Sequence, residues 1–302
     1  MSVSVIIPTF NREPLLEAAI NSALHQTMPV VEIIVVDDGS TDQTEALVAR
    51  LASVDSRIKL LKRQRGGANR ARNAGSKLAV GEWLAFLDSD DVWEHNKLAM
   101  QMQAINSHED VVACFTGLRH IGVGREKIYL PPEKPSLDDI RATNVLSSTS
   151  TAVIKKTVFW EIGGFDPNLP SCQDWDLWFR LRQKGTFVTV REPLVKYNSG
   201  PHERISSNVS RVIDGHRIIF ERLLADIEHD TDSLRRISAR HKVVLAEVYL
   251  RFGDSRKAIG LCLTSLLSHP SPWAIRILSI SSRACIAEML TNIRKLAAPA
   301  LH

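Results

Sequence analysis

Short apolar runs alternate with helical patterns along the first ninety residues. Four largely apolar runs have the length of strands, and they lie at 3–7, 30–36, 58–61 and 83–87. Between them, apolar residues recur at helical spacing in 15–24, in 68–78 and after a capping-box pattern formed by Ser40 and Gln43. Runs that are apolar on both faces and alternate with helices are typical of a parallel sheet covered on both sides. We therefore predict an α/β fold with a mainly parallel sheet.

The second half of the chain has a different pattern. Residues 145–200 predict a strand, a turn-rich loop, an amphipathic helix that ends at Gly185, and an alternating strand. Three prolines and several charges in 119–140 predict an exposed flap. From about 205 the pattern is helical, with a turn at Gly253 and Asp254 between two of the helices. We expect two domains, an α/β domain at 1–204 and a helical extension at 205–302.

The last predicted helix has one apolar face flanked by arginines. Such a helix either packs on its own protein or rests on a membrane surface, and the pattern leaves both interpretations open. Residues 201–302 contain 15 Lys and Arg and 10 Asp and Glu, a net charge of +5, while the other residues total −1. This weakly basic extension has no accompanying nucleic-acid-binding motif, so we expect no nucleic-acid partner. The apolar face consists of Ile275, Leu278, Ile286, Met289, Ile293 and Leu296.

Three further features bear on location. No stretch of about 18 apolar residues occurs, so we expect no membrane-spanning helix. The N-terminal residues lack a basic leader and a cleavage site. The four cysteines are far apart and form no CxxC pair, which fits a reducing compartment. We therefore expect a cytoplasmic protein, with peripheral contact at the inner face of the membrane as the alternative for its last helix.

Polar motifs follow three of the predicted strands. They are PTFN at 8–11, DDGS at 37–40 and DSDD at 88–91. In an open parallel sheet these positions share the carboxyl edge, where ligands bind. Five carboxylates there would repel one another without a cation, and hard oxygen ligands suit Mn²⁺ or Mg²⁺, which bridge the phosphates of nucleotides. The pattern predicts a metal–diphosphate site, although helix capping alone would account for Asp37.

The basic partner of such a site is predicted in the segment GGANRARNAG, where Arg70 and Arg72 are the candidates. Solvated helix arginines are the alternative interpretation. No G-x-x-x-x-G-K-[ST] loop occurs, and no G-x-G-x-x-G follows the first strand, which weakens an assignment as a P-loop NTPase or a dehydrogenase.

Five motifs together resemble family 2 glycosyltransferases of the GT-A fold. VSVIIPTFNRE, VEIIVVDDGSTD, GGANRARNAG, WLAFLDSDDVW and IGGFDPNLPSCQDWDLWFRL occur in the family's order and cover residues 3 to about 205. The resemblance implies that 1–204 is a GT-A catalytic domain. It also implies inverting transfer from a UDP- or dTDP-sugar to an acceptor hydroxyl with Mn²⁺ or Mg²⁺. Bacterial surface polysaccharide or glycolipid assembly is the setting that it suggests, with a glycan or glycolipid acceptor.

The resemblance also assigns roles by position. Asp90 matches the metal ligand of the family's DxD motif, and His202 resembles a histidine that reaches the metal or the diphosphate. A plain loop histidine is the alternative for His202. The acceptor-side assignments are Gly164, Phe165 and Trp175, with a core role as the alternative for Trp175. The nucleotide-binding assignments are Pro8, Thr9, Asn11, Asp38, Arg72 and Asp88.

Asp174 matches the general base of the family, which lies in a Glu-Asp pair. Here the pair is Gln173 and Asp174, so the contribution of the missing Glu is in doubt. Because Asp174 begins a predicted helix, it could also cap that helix. The helix dipole is then expected to lower the pKa of its carboxyl group.

Two other functions fit parts of the pattern. A catalytically silent family member would bind nucleotide and act as a scaffold. A sugar-1-phosphate nucleotidyltransferase shares the nucleotide-binding topology, but it needs a Gly-rich basic loop where this chain has PTFNRE. The donor sugar, the acceptor and the oligomeric state are left open.

Overall fold

The computed structural model describes residues 1–122, 126–198, 208–225, 227 and 230–297, with side chains as far as residue 291. The chain divides into two compact units. The first comprises Met1–Ile140, Asn144–Leu169 and Gln173–Glu203, and the second comprises Arg141–Thr143, Pro170–Cys172 and Arg204–His302. The predicted domain boundary at 204 lies outside the described residues and stays a prediction.

The first unit is built on one sheet, whose strand order is β3-β2-β1-β4-β8-β6-β9-β5, with β7 paired to β6. Strands β1 to β4 are mutually parallel, whereas β8 is antiparallel to both β4 and β6. The α/β fold is therefore confirmed, and the sheet is mixed beyond β4. The strands are β1 Val3–Thr9, β2 Glu32–Asp37, β3 Ile58–Lys62, β4 Trp83–Phe86, β5 Val92–Trp93, β6 Val111–Ile121, β7 Lys127–Tyr129, β8 Ala152–Lys155 and β9 Thr186–Asn198.

The parallel half contains the point at which the chain reverses its direction across the sheet. The chain places β2 and then β3 on one side of β1, and it returns to place β4 on the other side. The carboxyl ends of β1 and β4 are therefore the topological switch point, where open α/β sheets bind their ligands.

Among the described residues up to 198, the structure has seven helices and a 3₁₀ turn at Thr149–Thr151. Helix α3 packs closely because Gly75 lacks a side chain. A Cβ atom there would lie 2.7 Å from Ile6 Cγ2 and 2.8 Å from Val36 Cγ2. The helices are α1 Glu13–Leu24, α2 Thr44–Val54, α3 Ala68–Leu78, α4 Lys97–Asn106, α5 Leu137–Ala142, α6 Lys156–Glu161 and α7 Gln173–Arg182.

Two predicted boundaries differ in the structure. Strand β1 continues through Pro8 to Thr9, because β4 ends opposite Ile6 and position 8 has a paired neighbour on one side only. Helix α2 begins at Thr44 rather than after Ser40, so the capping-box prediction is wrong. The Asp42 carboxylate accepts from Thr44 N at 3.1 Å, and Ser40 Oγ accepts from Asn11 N at 2.9 Å.

The second unit contains four helices among the described residues. Three of them have a side-chain cap at the N-terminus, formed by Asn208, Asp230 and Asp254. Val243, Ala246 and Cys262 belong to the small apolar core of this unit. No helix within the described ranges is both long and apolar enough to cross a membrane. The helices are α8 Val209–Leu224, α9 Thr231–Arg251, α10 Ser255–Ser268 and α11 Pro272–Ala297.

Helix α11 buries only part of the apolar surface that its sequence predicts. Ala274 and Ile277 pack into the core of the second unit. Ile275, Ile286 and Met289 are 59%, 57% and 52% exposed. The predicted apolar face is therefore partly uncovered, which a helix fully packed on its own unit would not show.

Candidate active site

The ends of β1 and β2 are joined directly. Asp38 N donates to Thr9 O at 2.9 Å, and Asn11 Oδ1 accepts from Thr41 N at 2.8 Å. Asn11 adopts a left-handed backbone with φ 50°, a region that Asn tolerates better than most residues. Thr9 is 3% exposed, and its Oγ1 has no hydrogen-bond partner among the described atoms. Pro8, Thr9, Asn11 and Asp38 thus come together, as predicted for the nucleotide side.

The Asp38 carboxylate fixes the loop that leads into α3. It accepts from Gly66 N at 3.0 Å and from Gly67 N at 2.7 Å, and Arg63 Nη1 lies 3.2 Å away. Asp38 is 5% exposed. A buried carboxylate is tolerated when donors and an opposite charge surround it, and here they do.

Arg72 is the buried cation of the site. Its Nη2 lies 2.5 Å from Asp88 Oδ1, its guanidinium lies 5.3 Å from the ring centre of Phe165, and its exposure is 5%. Nε and Nη1 have no hydrogen-bond partner among the described residues. Buried donors without partners are unfavourable, so the free N–H groups of Arg72 are suited to an anion that enters from solution.

The three carboxylates of the DSDD segment have different surroundings. Asp88 also accepts from Thr149 Oγ1 at 3.3 Å, while Asp91 accepts from Ser150 Oγ at 2.6 Å and from Asn198 N at 3.2 Å. Burial, together with the charges of Asp88 and Asp90, raises the pKa of Asp91 well above its ordinary value. Asp90 is half-buried. The segment therefore places three carboxyl groups close together, one paired with Arg72 and one whose pKa is raised.

The donor chemistry of this segment fits a hard divalent cation. Within the described ranges, no group of three or more His, Cys, Asp or Glu side chains is arranged to hold a metal ion. A magnesium-type site usually has only one or two carboxylates, and substrate phosphates and water supply the other ligands. Asp90, which is half-buried in this segment, is the candidate ligand because it matches the metal ligand of the family's DxD motif. His202 lies outside the described residues.

Asp174 occupies the first turn of α7. Its Oδ1 accepts from Trp175 N at 2.8 Å, and its Oδ2 accepts from Asn144 Nδ2 at 3.0 Å. The side chain keeps partial exposure, yet desolvation by the surrounding protein raises the pKa of Asp174 above its ordinary 3.8. These two hydrogen bonds and the nearby charge of Arg72 oppose that rise without cancelling it. The expectation of a lowered pKa is therefore wrong, because burial outweighs the helix terminus.

The three residues assigned to the acceptor side have different positions in the structure. Gly164 has φ 69°, and a Cβ atom there would lie 2.8 Å from Asn73 Oδ1, so the loop passes close to α3. Phe165 is buried and packs edge-on against Phe86 at 5.2 Å. Trp175 is 2% exposed and its Nε1 donates to Ile140 O. With no free ring face for a sugar, Trp175 belongs to the core, and we correct its acceptor-side assignment accordingly.

Sequence reasoning missed three residues of the site. Asn73 holds the backbone of Phe165 through both amide atoms, at 2.8 and 3.0 Å. Ser150 accepts from Asp88 N at 3.0 Å and donates to Asp91, and Asn144 holds Asp174. Asn73 directly follows Arg72 in the ARN motif, a signal that could have been used. Ser150 lies in a segment that the pattern assigned to a strand, Asn144 lies just before that segment, and neither carries a local signal.

The sequence profile described as glycosyl transferase family 2 matches residues 4–163, more than half of the 302-residue chain. The chain belongs to glycosyl transferase family 2. A second profile, glycosyltransferase like family 2, matches residues 136–229. The predicted family is thereby confirmed.

Curated family 2 relatives are similar over part of their length. An uncharacterised glycosyltransferase of Rickettsia prowazekii is 34% identical over 203 residues, covering 64% of this chain and 63% of the relative. TuaG of Bacillus subtilis, named for teichuronic acid biosynthesis, is 33% identical over 211 residues, covering 68% of this chain and 82% of TuaG. A beta-1,3-glucosyltransferase of Escherichia coli, WfgD, is 48% identical over 101 residues, covering 33% of this chain and 39% of WfgD. The chain thus spans less than two thirds of the Rickettsia relative, and 31% of a longer one from Rickettsia conorii.

Solved family structures share the fold. Staphylococcus aureus TarS 1-349 in complex with UDP-GlcNAc has a TM-score of 0.61 at 19% identity, covering 94% of this chain and 90% of that one. The mannosyltransferase PcManGT from Pyrobaculum calidifontis, in complex with GDP-Man and Mn²⁺, has a TM-score of 0.59 at 19% identity, covering 94% of this chain and 80% of that one. The predicted GT-A fold is confirmed.

Proposed function

We propose that this chain transfers a sugar from a nucleoside-diphosphate sugar to an acceptor hydroxyl with inversion at the anomeric carbon. The observation that carries the proposal is the buried Arg72, which has two N–H groups without partners at the switch point of the sheet. Its charge also reaches Asp174, a carboxylate whose pKa is raised. An anion site beside a candidate base is the arrangement that such a transfer needs.

The donor is proposed to bind along the carboxyl ends of β1, β2 and β4. Thr9 and Asp38 border the nucleoside, and Arg72 donates to the diphosphate through Nε and Nη1. Asp88 holds Arg72 in place through the 2.5 Å ion pair. TarS and PcManGT were solved with UDP-GlcNAc and GDP-Man, which supports a nucleotide sugar here, and we propose a UDP- or dTDP-sugar as the donor.

A divalent cation, Mn²⁺ or Mg²⁺, completes the proposed site. Asp90 is its protein ligand, and His202 is proposed as a second contact to the metal or the diphosphate. When bound, the cation supplies positive charge that stabilises the departing diphosphate.

Asp174 is proposed as the general base. The acceptor oxygen forms a bond to the anomeric carbon from the face opposite the diphosphate, and the bond between that carbon and the phosphate oxygen breaks. The electron pair leaves with the nucleoside diphosphate, and the hydroxyl proton moves to Asp174. Each carboxylate oxygen keeps a lone pair beyond its bond to Trp175 N or Asn144 Nδ2, so the proton has a free acceptor position.

The biological setting is proposed from the relatives. TuaG is named for teichuronic acid biosynthesis, and WfgD is named for transfer of glucose to a sugar on diphosphoundecaprenol. We propose polysaccharide or glycolipid assembly for this chain, at the cytoplasmic face of a membrane. The exposed apolar residues of α11 are the proposed peripheral contact.

Metal-dependent nucleotide binding tests the function. Calorimetry with UDP, dTDP and GDP, each with and without Mn²⁺, should give one nucleotide whose binding strengthens with the metal. Asp90→Asn should abolish that strengthening. Glu94→Gln, which changes a nearby acid paired with Lys196 at 3.2 Å, should not.

Turnover then separates an enzyme from a silent scaffold. Incubation of the matching nucleotide sugar with a panel of glycosides should release the nucleoside diphosphate and form a product whose anomeric configuration, read by NMR, is opposite to that of the donor. If nucleotide binding responds to Mn²⁺ neither in the wild type nor in Asp90→Asn, the metal assignment is contradicted. Binding without any transfer or donor hydrolysis would identify the scaffold instead.

A further inference from the structure

A cavity of about 480 Å³ lies in the first unit, and Asn144, which donates a hydrogen bond to Asp174, is one of the residues that line it. Its volume is within the range of small-molecule sites, about 300–1,000 Å³. None of the residues that border it belongs to the nucleotide-binding set described above. The residues that carry the argument are Thr116, Leu118, Leu130, Asn144, Leu146 and Arg191.

One side of the cavity is apolar. Leu118 and Leu146 are buried, and Leu130 is 44% exposed at the rim. Gly117 allows this close packing, because a Cβ atom there would lie 2.6 Å from Leu130 Cδ2. An apolar wall that remains open to solvent at one edge favours a ligand with an apolar group.

The cavity also has polar groups, which suit a second, polar part of the same ligand. Thr116 is 1% exposed, and its Oγ1 has no hydrogen-bond partner among the described atoms. Arg191 is exposed and forms no ion pair with a carboxylate in the described part of the chain. A buried hydroxyl without a partner and an available guanidinium together suit an anionic group with oxygen atoms.

Asn144 connects the cavity to the candidate base. It lines the cavity, and its Nδ2 donates to Asp174 Oδ2 at 3.0 Å and to Ser147 O at 3.2 Å. The backbone of Ser147, which also lines the cavity, has φ 64° and donates to Asn144 Oδ1 at 3.1 Å. A left-handed non-glycine residue is an unfavourable conformation that the surrounding contacts hold in place, as is often seen at ligand sites.

We propose that this cavity binds the acceptor, and that the acceptor is an amphiphile in which an anionic group is joined to an apolar one. The apolar group lies against the leucine wall, the anionic group contacts Arg191, and the hydroxyl to be glycosylated reaches Asp174 past Asn144. This proposal rests on the proposed transferase function for the role of the bound molecule.

Binding of n-octyl phosphate, kept below its micelle concentration, tests the site. Ligand-observed NMR should give an affinity for n-octyl phosphate about tenfold above that for inorganic phosphate, because the octyl group buries apolar surface on binding. Leu130→Ser should remove most of this gain. Ile128, an apolar residue of the neighbouring strand, is 53% exposed and does not line the cavity. The Ile128→Ser variant should therefore bind n-octyl phosphate as tightly as the wild type does.

The charged part of the ligand has its own test. Arg191→Gln should weaken n-octyl phosphate by about fivefold and leave n-octyl glucoside unaffected, because only the phosphate needs a cation. Equal binding of n-octyl phosphate by Leu130→Ser and Ile128→Ser, or no advantage over inorganic phosphate, would overturn the cavity as a site for an amphiphile.

Inhibition decides the role of the site. In the transfer assay, n-octyl phosphate should raise the KM for the acceptor and leave the KM for the donor unchanged. Inhibition competitive with the donor would overturn the acceptor role. UDP binding of the wild type and of the three variants is measured in parallel. A wild type that does not bind UDP would count against the proposed function. Normal UDP binding together with equal n-octyl phosphate affinities of Leu130→Ser and Ile128→Ser would count against the cavity alone.

Discussion

The carboxylates on the nucleotide side of the site and the carboxylate on the acceptor side have different partners. Asp38 and Asp88 each have a positively charged partner, Arg63 at 3.2 Å and Arg72 at 2.5 Å. Asp174 has neutral donors, Trp175 N and the Asn144 amide, with the charge of Arg72 acting only from nearby. The first two carboxylates are ion-paired, whereas burial raises the pKa of Asp174. One residue type thus has charged partners on one side of the site and neutral donors on the other, which is the difference expected between a binding carboxylate and the proposed base.

Asp174→Asn should have the largest effect on turnover. Asn cannot take the acceptor proton, so the transfer rate should fall by roughly 10²–10⁴, the usual contribution of a positioned base. Nucleotide affinity should stay near that of the wild type, because Arg72 and Asp90 are retained. Steady-state rates and UDP calorimetry on the same preparation measure both. A transfer rate close to that of the wild type would rule out Asp174 as the base.

Arg72→Gln should act on the opposite side of the comparison. Loss of the buried guanidinium removes charge-assisted hydrogen bonds to the diphosphate, so UDP affinity should fall by about 10–100-fold. Arg70→Gln is the matched control, since Arg70 lies on the same helix and is exposed. Its affinity should stay within about twofold of the wild type. Equal losses in the two variants would mean that the net charge of α3, rather than the position of Arg72, determines binding.

Asn144→Ala should lower kcat by about tenfold, because Asp174 loses the amide that orients its carboxylate. The hydrogen bond from Asn144 also lowers the pKa of Asp174, so its removal should raise that pKa further. The acid limb of the kcat/KM profile should therefore move to higher pH. A reduced kcat with an unmoved pH profile would indicate a structural role for Asn144.

The raised pKa of Asp174 also predicts a pH dependence of stability. The contribution of this group is fully present below the unfolded pKa of 3.8 and is lost as pH rises through the higher folded pKa. Arg72, Asn144 and Trp175 N are the groups that oppose the shift. Asp174→Asn should remove this loss, so the variant should gain stability relative to the wild type as pH rises through the folded pKa. Denaturant unfolding across that range measures the difference, and parallel curves would contradict the buried anion.

The smallest effect is expected outside the first unit. Vesicles containing anionic lipids should retain the full protein more strongly at low salt, since each basic residue near the surface contributes about 1 kcal/mol. Ile286→Ser combined with Met289→Ser should weaken retention by a fewfold without affecting UDP binding, because both side chains are exposed. Identical partitioning of both proteins would leave α11 without a membrane role.

The two sides also differ in how far the sequence predicted them. Strands β1 to β4 and the polar residues after them were recognisable because local apolar periods and strand ends determine where Thr9, Asp38 and Asp88 lie. Asn144 and Asp174 are 30 positions apart, and their contact depends on how the segment before β8 turns, which no local pattern specifies. The burial of Trp175 and the raised pKa of Asp174 are likewise properties of the assembled fold. Local pattern therefore predicted where Thr9, Asp38 and Asp88 lie, whereas the family resemblance singled out Asp174 as the proposed base without indicating its surroundings.

Gly75 limits how this enzyme family member can be redesigned. The methyl groups that a Cβ atom would meet belong to the β-branched Ile6 and Val36, which cannot swing away, so even alanine at position 75 would push α3 and Arg72 away from the sheet. The solvent face of the same helix, which includes Arg70, has no such restriction. A directed-evolution library should therefore keep Gly75 constant and can vary that outer face, because diversity at position 75 would mainly displace Arg72.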